Sequence, residues 1–313
     1  MHYIVLDLEW NSAYCPWQQR FINEIIEFGA VKLDENLNEV SRFQCFVRSK
    51  LTKKLRSRVK GLTNITNEEM RSGVSIDRAV HDYTDWAGDD TVTMSWSDTD
   101  IHVLVDNLKT MMNLDTIPFL YKYADMQKYV QSRMGITGNQ ISLTAAAEQL
   151  GVNFEEFAAH RALGDCLCSA ELLRRTWVDG ELDKYISDTR ADDYYERLLF
   201  KPYIINDIND PLIDKSQLRF RCPNCGNFMR RRSKWKFKNR SFLANFECRK
   251  CNVTLVGKLR FRKLFDSVAV TRSLTPPAPP KDESDHSDTV KPQRPQKVKS
   301  ATVNRKKREP DKT

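Results

Sequence analysis

The sequence contains no run of about 18 or more apolar residues, and this absence excludes an ordinary transmembrane helix. It also lacks the pattern of a secretory signal peptide, because the acids Asp7 and Glu9 stand where a cleavage site would be. We therefore expect a cytoplasmic protein. Its 313 residues, 40% of them hydrophobic, are enough for one medium domain and a small module.

Acidic residues are almost missing from one part of the chain. Residues 219–263 hold 15 Lys and Arg against a single acid, whereas residues 1–218 hold 24 against 34. The net charge of +8 for the whole chain hides this difference. An acidic front half joined to a basic module predicts a polyanionic partner that is held mainly by the back half.

The cysteines lack the arrangement of a secreted disulfide scaffold. Four of the eight form two C-x₂-C pairs that are separated by 22 residues, namely Cys222, Cys225, Cys248 and Cys251. This spacing predicts a four-cysteine zinc ribbon with one structural Zn²⁺, without which so small a segment would not fold. The other four are expected to be reduced thiols, and packing along a helix explains Cys166 and Cys168.

Hydrophobic patterns along the first 180 residues predict an α/β domain. Strands are expected at residues 3–9, 24–33, 40–47, 91–96 and near 117–121, and helices at 67–86, 101–112, 125–134, 143–150 and 161–178. Strands first, then alternating strands and helices, indicate a mixed five-stranded sheet flanked by helices. A small β zinc ribbon would follow it.

These patterns divide the chain into four segments. Residues 1–180 are the predicted α/β domain and 181–217 a charged linker. Residues 218–266 would form the zinc ribbon. Residues 267–313, rich in Pro and Lys, are predicted to be a disordered basic tail.

Carboxylates recur at places where metal chemistry could use them. Asp7 and Glu9 are two apart on a strand, so both side chains project from one face and can converge on a hard cation such as Mg²⁺ or Mn²⁺. Asp165 opens a helix and follows His160 by five residues, with small Ala162 and Gly164 between them that would let the helix lie close to the strand of Asp7. Asp100 opens a helix after a strand.

Each of these features has an ordinary explanation when taken alone. The strand acids could be a solvated tip, His160 could be a surface residue, and Asp100 could be a helix N-cap. Asp98 lies two residues before Asp100, so either residue could be the acid that this part of the chain adds to Asp7, Glu9 and Asp165.

The order and spacing of Asp7-x-Glu9, Asp100 and His160-x-Ala162-x-x-Asp165 resemble the DEDDh family of 3′–5′ exonucleases over residues 2–178. Its relatives include RNase T, polymerase proofreading subunits and the KapD-like group. Two flanking stretches also resemble the family, Gly29-Ala30-Val31 and Leu62-Thr63-Asn64-Ile65-Thr66, although its usual Thr-Gly-Ile is Thr-Asn-Ile here. The resemblance implies an RNase H-like fold.

The resemblance also implies a two-metal mechanism for phosphodiester hydrolysis. Asp7 would bridge two Mg²⁺ or Mn²⁺ ions, Glu9 and Asp165 would complete the first site, and Asp100 would support the second, partly through water. His160 would act as general base.

Cations and aromatic residues alternate between the two cysteine pairs. Lys234, Trp235, Lys236 and Lys238 follow the run Arg230, Arg231 and Arg232. A hairpin of this composition could bind phosphates and stack bases. The alternative is that Trp235 and Phe237 form the small core of the ribbon and that the lysines are only solvated.

The leading interpretation is a metal-dependent 3′–5′ exonuclease acting on single-stranded 3′ ends, on RNA more than on DNA. The alternative is a nucleic-acid-binding regulatory scaffold with little turnover, against which the presence of all five expected catalytic residues argues. A protein partner for the ribbon or tail is a third interpretation. The sequence alone leaves open the natural substrate, the processivity and the oligomeric state.

Overall fold

The computed structural model describes residues 1–157 and 160–277. It forms two compact units. The first comprises Met1–Pro202 with Leu264–Asp266, and the second comprises Tyr203–Lys263 with the segment that begins at Ser267. Within the described residues, no helix is both long and apolar enough to cross a membrane.

The first unit is built on a mixed six-stranded sheet in the order β3-β2-β1-β4-β5-β6. The strands are β1 (His2–Cys15), β2 (Arg20–Leu33), β3 (Glu39–Phe46), β4 (Thr91–Ser95), β5 (Lys122–Asp125) and β6 (Ile186–Asp188). The β1–β4 and β4–β5 pairs are parallel, and the other pairs are antiparallel. This is the expected α/β architecture, with one strand more than the predicted five. The additional β6 lies in the segment predicted to be a linker, and three residues are too few to give a sequence pattern.

Eight helices occur in the described part of this unit. They are α1 (Ser57–Thr63), α2 (Asn67–Ser72), α3 (Ile76–Ala87), α4 (Thr99–Met112), α5 (Met126–Arg133), α6 (Leu143–Gln149), α7 (Ala162–Thr176) and α8 (Tyr194–Leu199). Short 3₁₀ turns span Phe154–Phe157 and Leu182–Tyr185. The predicted strand near 117–121 is instead a buried connection, and β5 begins directly after it.

The helix predicted over residues 67–86 is divided at Gly73 into α2 and α3. The Val74 N–H donates to the Phe46 carbonyl at 2.9 Å, and a Cβ on Gly73 would lie 2.6 Å from that oxygen. The chain therefore leaves the helix to contact the end of β3. Periodicity cannot show this break because it depends on a contact between distant residues.

The core lies on both faces of the sheet. Ile4, Leu6 and Leu8 of β1 point to the face covered by α3 and α4. Tyr3 and Val5 point to the opposite face, where residues of α5 and α7 pack. Because strand side chains alternate, Asp7 and Glu9 belong to the face that carries α7.

The second unit is an antiparallel sheet. Its strands are β7 (Tyr203–Ile204), β8 (Arg230–Arg231), β9 (Lys236–Lys238), β10 (Ser241–Cys248), β11 (Val253–Lys263) and β12 (Val268–Thr275). The main order is β12-β11-β10-β8, while β7 pairs with β11 and β9 with β10. A 3₁₀ turn covers Lys215–Leu218. The core of this unit includes the buried residues Phe220, Phe242, Phe246, Leu259 and Phe261.

Strand β12 corrects the predicted start of the tail at residue 267. It pairs with β11 over eight residues, from Val268 to Thr275. The apolar alternation of Val268, Val270 and Leu274 is short, and the adjoining Pro- and Lys-rich composition obscured it. The predicted disorder of residues 278–313 lies outside the described residues.

Candidate active site

The two acids of β1 lie beside a third acid from α7. The register pairs Asp7 with Gly29 and Glu9 with Glu27 of β2. Asp7, Glu9 and Asp165 each place a carboxylate oxygen within 4.8 Å of the other two. Residues 7 and 165 are far apart in the chain, and the packing of α7 on the sheet brings them together.

A glycine on β2 permits this packing. A Cβ added to Gly29 would lie 2.3 Å from the carbonyl carbon of Ala162, at the first turn of α7. The buried thiol of Cys166 donates to the Gly29 carbonyl oxygen at 3.2 Å. The absent side chain at residue 29 thus lets the helix start lie against the strand that neighbours Asp7. From the sequence we expected Ala162 and Gly164 of the helix to permit the close approach. The residue whose missing side chain permits it is Gly29 on β2.

Asp100 reaches the same strand from the first turn of α4. It is buried, with 3% of its surface exposed, and Oδ1 accepts a hydrogen bond from the Leu8 N–H at 3.1 Å. Leu8 stands between Asp7 and Glu9, so this bond directs Asp100 to the acidic cluster. Asp98 is the N-cap residue of α4 and makes no side-chain capping bond. Neither acid belongs to the group of Asp7, Glu9 and Asp165, but the charge of Asp100 raises the pKa of Asp7.

The electrostatics of the cluster call for a cation. Burial, followed by repulsion from Asp165, Glu27 and Asp100, raises the pKa of Glu9 to about 8. Burial also raises the pKa of Asp100 to about 7, although the Leu8 N–H opposes it. The pKa of Asp7 is raised well above its usual value by burial and then by Asp100 and Asp165.

A divalent ion would relieve this repulsion, since hard cations take carboxylate oxygens as ligands. The donor set of Asp7, Glu9 and Asp165 therefore fits Mg²⁺ or Mn²⁺.

His160 lies just before α7 in a left-handed backbone conformation, with φ of 62°. Its backbone N–H donates to Asp165 Oδ1 at 3.1 Å. Its ring packs edge to face on Phe154, with 5.6 Å between the ring centroids. For a residue other than glycine, such a conformation persists only where surrounding contacts hold it. The bond to Asp165 places His160 beside the acidic cluster, as expected of a residue in the turn entering the helix.

A buried ion pair next to the cluster was not predicted from the sequence. The fully buried Glu27 accepts from Arg161 at 3.0 and 3.2 Å and from Gln44 Nε2 at 2.7 Å. Arg161 directly follows His160, so this pair ties the turn of the histidine to β2. The available signal was a Glu in an otherwise apolar strand, Ile25-Ile26-Glu27-Phe28, where an unpaired charge would be costly.

The four paired cysteines converge in the second unit. Their sulfur atoms all lie within 4.8 Å of one another, and those of Cys225 and Cys248 are 3.6 Å apart. Sulfur ligands about 2.3 Å from a tetrahedral Zn²⁺ would be about 3.8 Å apart. Gly226 and Asn252, which follow the second cysteine of each pair, have φ of 73° and 51° and turn the chain back.

The thiols of this cluster are electrostatically coupled. Burial opposes ionisation of Cys222, but backbone N–H groups of Asn224 and Cys225 help to lower its pKa to about 7. The neighbouring thiols, Cys225 first, raise the pKa of Cys251 to about 12. A dication would remove this conflict, so the cluster is compatible with zinc.

The basic residues predicted to bind nucleic acid lie in different environments. Trp235 is partly buried and packs against Phe246 at 5.6 Å between ring centroids, whereas Phe237, which the alternative interpretation also placed in the core, is 43% exposed. Arg232 pairs with Glu247 at 2.7 Å. The remaining members are distributed around β8 and β9, and they are Arg230, Arg231, Lys234, Lys236 and Lys238.

The fold and the acidic cluster together define a class of protein, the metal-dependent nucleases with an RNase H-like sheet. Residues 4–173 match the RNase T family, which is described as exonuclease, and this match covers more than half of the chain. The chain therefore belongs to the RNase T exonuclease family. It is an exonuclease that acts on nucleic acid.

Solved structures agree with this fold. A 3′-exonuclease described in connection with 3′-end specific recognition of a histone mRNA stem-loop is 21% identical, with a TM-score of 0.50, covering 58% of this chain and 83% of that one. The nuclease domain of 3′hExo, a DEDDh family member bound to rAMP, is 22% identical with a TM-score of 0.50, covering 58% and 94%. No curated protein matches the chain.

Proposed function

We propose that this exonuclease removes nucleotides one at a time from single-stranded 3′ ends, and that it prefers RNA to DNA. The observation that carries the proposal is the convergence of Asp7, Glu9 and Asp165 within 4.8 Å, beside a buried Asp100 that is bonded to the same strand.

Each residue has a distinct role in the proposed reaction. Asp7, Glu9 and Asp165 would hold the divalent ions, and Asp100 would support the second position. Two bound ions would neutralise charge at the attacking and leaving oxygens of the phosphodiester. His160 takes the proton from the attacking water, since an imidazole exchanges protons near neutral pH. The hydrogen bond from the backbone N–H of His160 to Asp165 keeps the histidine next to the acids.

Two observations support RNA as the substrate. The structures of similar fold include one described with a histone mRNA stem-loop and one bound to rAMP. The basic residues 219–263 also offer the second unit as a surface for a polyanion, which the acidic first unit would attract poorly. The first observation carries the preference for RNA, and the second supports RNA only as it supports any polyanion.

The second unit would serve this reaction by binding the strand. We propose that its four cysteines hold one structural Zn²⁺ and that the cations around β8 and β9 contact phosphates. A cytoplasmic location also stays a prediction from the sequence.

The test is stepwise shortening of 5′-labelled strands of matched sequence, as RNA and as DNA and in single- and double-stranded form, with Mg²⁺ or Mn²⁺. We expect wild type to shorten single-stranded RNA fastest and to leave a ladder of products shortened from the 3′ end. Asp7→Asn and His160→Ala should each lower the rate at least about 100-fold, because one removes a ligand and the other the base.

Equal rates for wild type and both variants would refute the assignment of these residues. Binding of the strand without any release of nucleotides would instead favour the regulatory scaffold. A faster rate on DNA would overturn the substrate preference alone.

A further inference from the structure

A cavity in the second unit combines three arginines with two aromatic rings. It has a volume of about 410 Å³ and is lined by Arg219, Arg221 and Arg272 together with Phe220 and Phe228. We call it the arginine pocket. None of these residues belongs to the basic set predicted from the sequence.

Aromatic rings hold the guanidinium groups of the arginine pocket in place. The Cζ atoms of Arg221 and Arg219 lie 4.1 and 5.3 Å from the centroid of Phe228. Arg272 lies over Phe220 at 4.8 Å. Phe220 is buried, but 55% of Phe228 is exposed, so part of this lining ring is open to solvent. Arg221 and Phe228 are also backbone partners in an antiparallel bridge.

The positive charge of the arginine pocket is not neutralised within the unit. Across residues 203–263 and 267–277, none of its three arginines forms an ion pair, whereas the nearby Arg232 is paired with Glu247. The polar contacts of the pocket arginines are to neutral acceptors. Arg221 donates to the Gly226 carbonyl at 3.0 Å, and Arg272 to the Arg219 carbonyl and, at 3.4 Å, to Gln217 Oε1.

Guanidinium groups that are fixed by rings and have unused donors suit a planar, anionic ligand. Arginine presents donors in a fork that matches phosphate, and its flat face stacks on bases as well as on rings. An acidic peptide would use the charge but not the exposed ring.

We propose that the arginine pocket binds one nucleotide of a single-stranded nucleic acid, with its phosphate on Arg221 and Arg272 and its base against Phe228. The proposal rests on the exonuclease function only in taking the substrate strand as the ligand.

The test uses the full chain in an Asp7→Asn background, so that a labelled single-stranded oligonucleotide stays intact without a chelator that would remove zinc. Binding is measured by fluorescence anisotropy at several salt concentrations. Arg221→Ala and Arg272→Ala should each weaken binding about tenfold and lower the salt slope by about one. Arg262→Ala is the matched control, since Arg262 is an exposed arginine of β11 outside the pocket. It should change binding less than about threefold.

Two further variants separate charge from geometry. Arg221→Lys keeps the charge but loses the fork, and Phe228→Leu keeps an apolar side chain but loses the ring. Both should weaken binding about three- to tenfold while zinc content and the thermal midpoint stay unchanged. An effect of Arg262→Ala as large as that of Arg221→Ala would overturn the pocket, and so would a poly-glutamate peptide that competes as well as a nucleotide strand.

Failure of this proposal is distinct from failure of the proposed function. If the protein with an intact Asp7 hydrolyses RNA but the pocket variants bind normally, only the pocket is refuted. If it releases no nucleotides but the pocket variants bind weakly, the pocket stands and the proposed reaction falls.

Discussion

The carboxylates near Asp7 oppose one another in the folded protein. Four acids from three elements are held together in a partly or fully buried place, where Glu9, Asp100 and Asp165 each raise the pKa of Asp7. Such a cluster costs free energy in the absence of a cation, and functional sites commonly accept this cost. Stability and metal binding should therefore be linked at this site.

This linkage predicts a pH effect on Glu9. Its pKa rises from 4.5 to about 8 on folding, so the folded state holds the proton more tightly than the unfolded state. Protonation of Glu9 therefore contributes to the stability of the folded state in full below pH about 4.5, and this contribution is lost as the pH rises through about 8. Without divalent ions in the buffer, the thermal midpoint should fall between pH 6 and pH 8, and Glu9→Gln should flatten this fall. Added Mn²⁺ should restore the midpoint of wild type at pH 8 more than that of Glu9→Gln.

Asp100 and Asp98 provide a second test at the residue scale. Only Asp100 is buried and bonded to Leu8, between the two acids of β1. Asp100→Asn should lower kcat about 100-fold or more, because it neutralises a carboxylate that supports the metal site. Asp98→Asn should change kcat less than about threefold, because it neutralises a carboxylate outside that site. Steady-state kinetics on a labelled oligonucleotide compares the two. The reverse order would make Asp98 the middle acid.

At the scale of elements, the contact between β2 and the start of α7 sets the site. Gly29 has no side chain to separate them. Glu27, two residues before Gly29 on β2, pairs with Arg161 directly before α7. The helix start carries Asp165, and the turn before it carries His160. A shift of α7 would therefore move two proposed catalytic groups together.

A methyl group at Gly29 should cause such a shift. Its carbon would meet the Ala162 backbone at 2.3 Å, and backbone cannot rotate away as a side chain can. Gly29→Ala should cost about 2 kcal/mol or more in unfolding free energy, as overpacked sites do, and should lower kcat as well. Denaturant unfolding and a nucleotide-release assay measure the two effects.

Gly61 offers the matched control within a helix. It lies in α1, and a Cβ there would meet nothing within 4 Å. Gly61→Ala should be neutral or stabilising by about 0.5–1 kcal/mol, because alanine is the better helix former. If Gly29→Ala behaves in the same way, the close approach does not control the site.

The patterns of the elements show why some of them were predictable. Long elements such as β2, α4 and α7 follow from sequence alone because apolar residues recur along them, at helical spacing in α4 and α7 and as a nearly continuous run in β2. The three-residue β6 and the break at Gly73 did not, since each depends on pairing with a distant part of the chain.

At the scale of the whole molecule, charge is divided between two units that each have their own core. Residues 1–202 of the first unit hold 31 acids against 23 Lys and Arg, whereas residues 203–263 of the second hold 16 Lys and Arg against four acids. Binding of a long strand should therefore depend on the second unit and on salt, whereas the chemistry should depend on the first.

Loss of zinc tests this division of labour. Cys222→Ser removes one of four ligands, so the second unit should lose its metal and its fold. Bound zinc should fall from one per chain towards zero, and affinity for a long oligonucleotide should drop at least about tenfold. Hydrolysis of a trinucleotide should persist within about threefold, because the first unit has its own core. Loss of both activities would show that the first unit needs the second.

The sequence by itself determined the α/β class, the family motif and the two cysteine pairs, because these depend on residue type at short or regular spacing. Only the tertiary structure showed that Asp100 accepts a bond from Leu8 between the two acids of β1, that Gly29 admits α7, and that Glu27 binds Arg161. It also brought Arg219, Arg221 and Arg272 together around two rings. These contacts join residues from separate strands and helices, and local pattern carries no information about which distant side chains will meet.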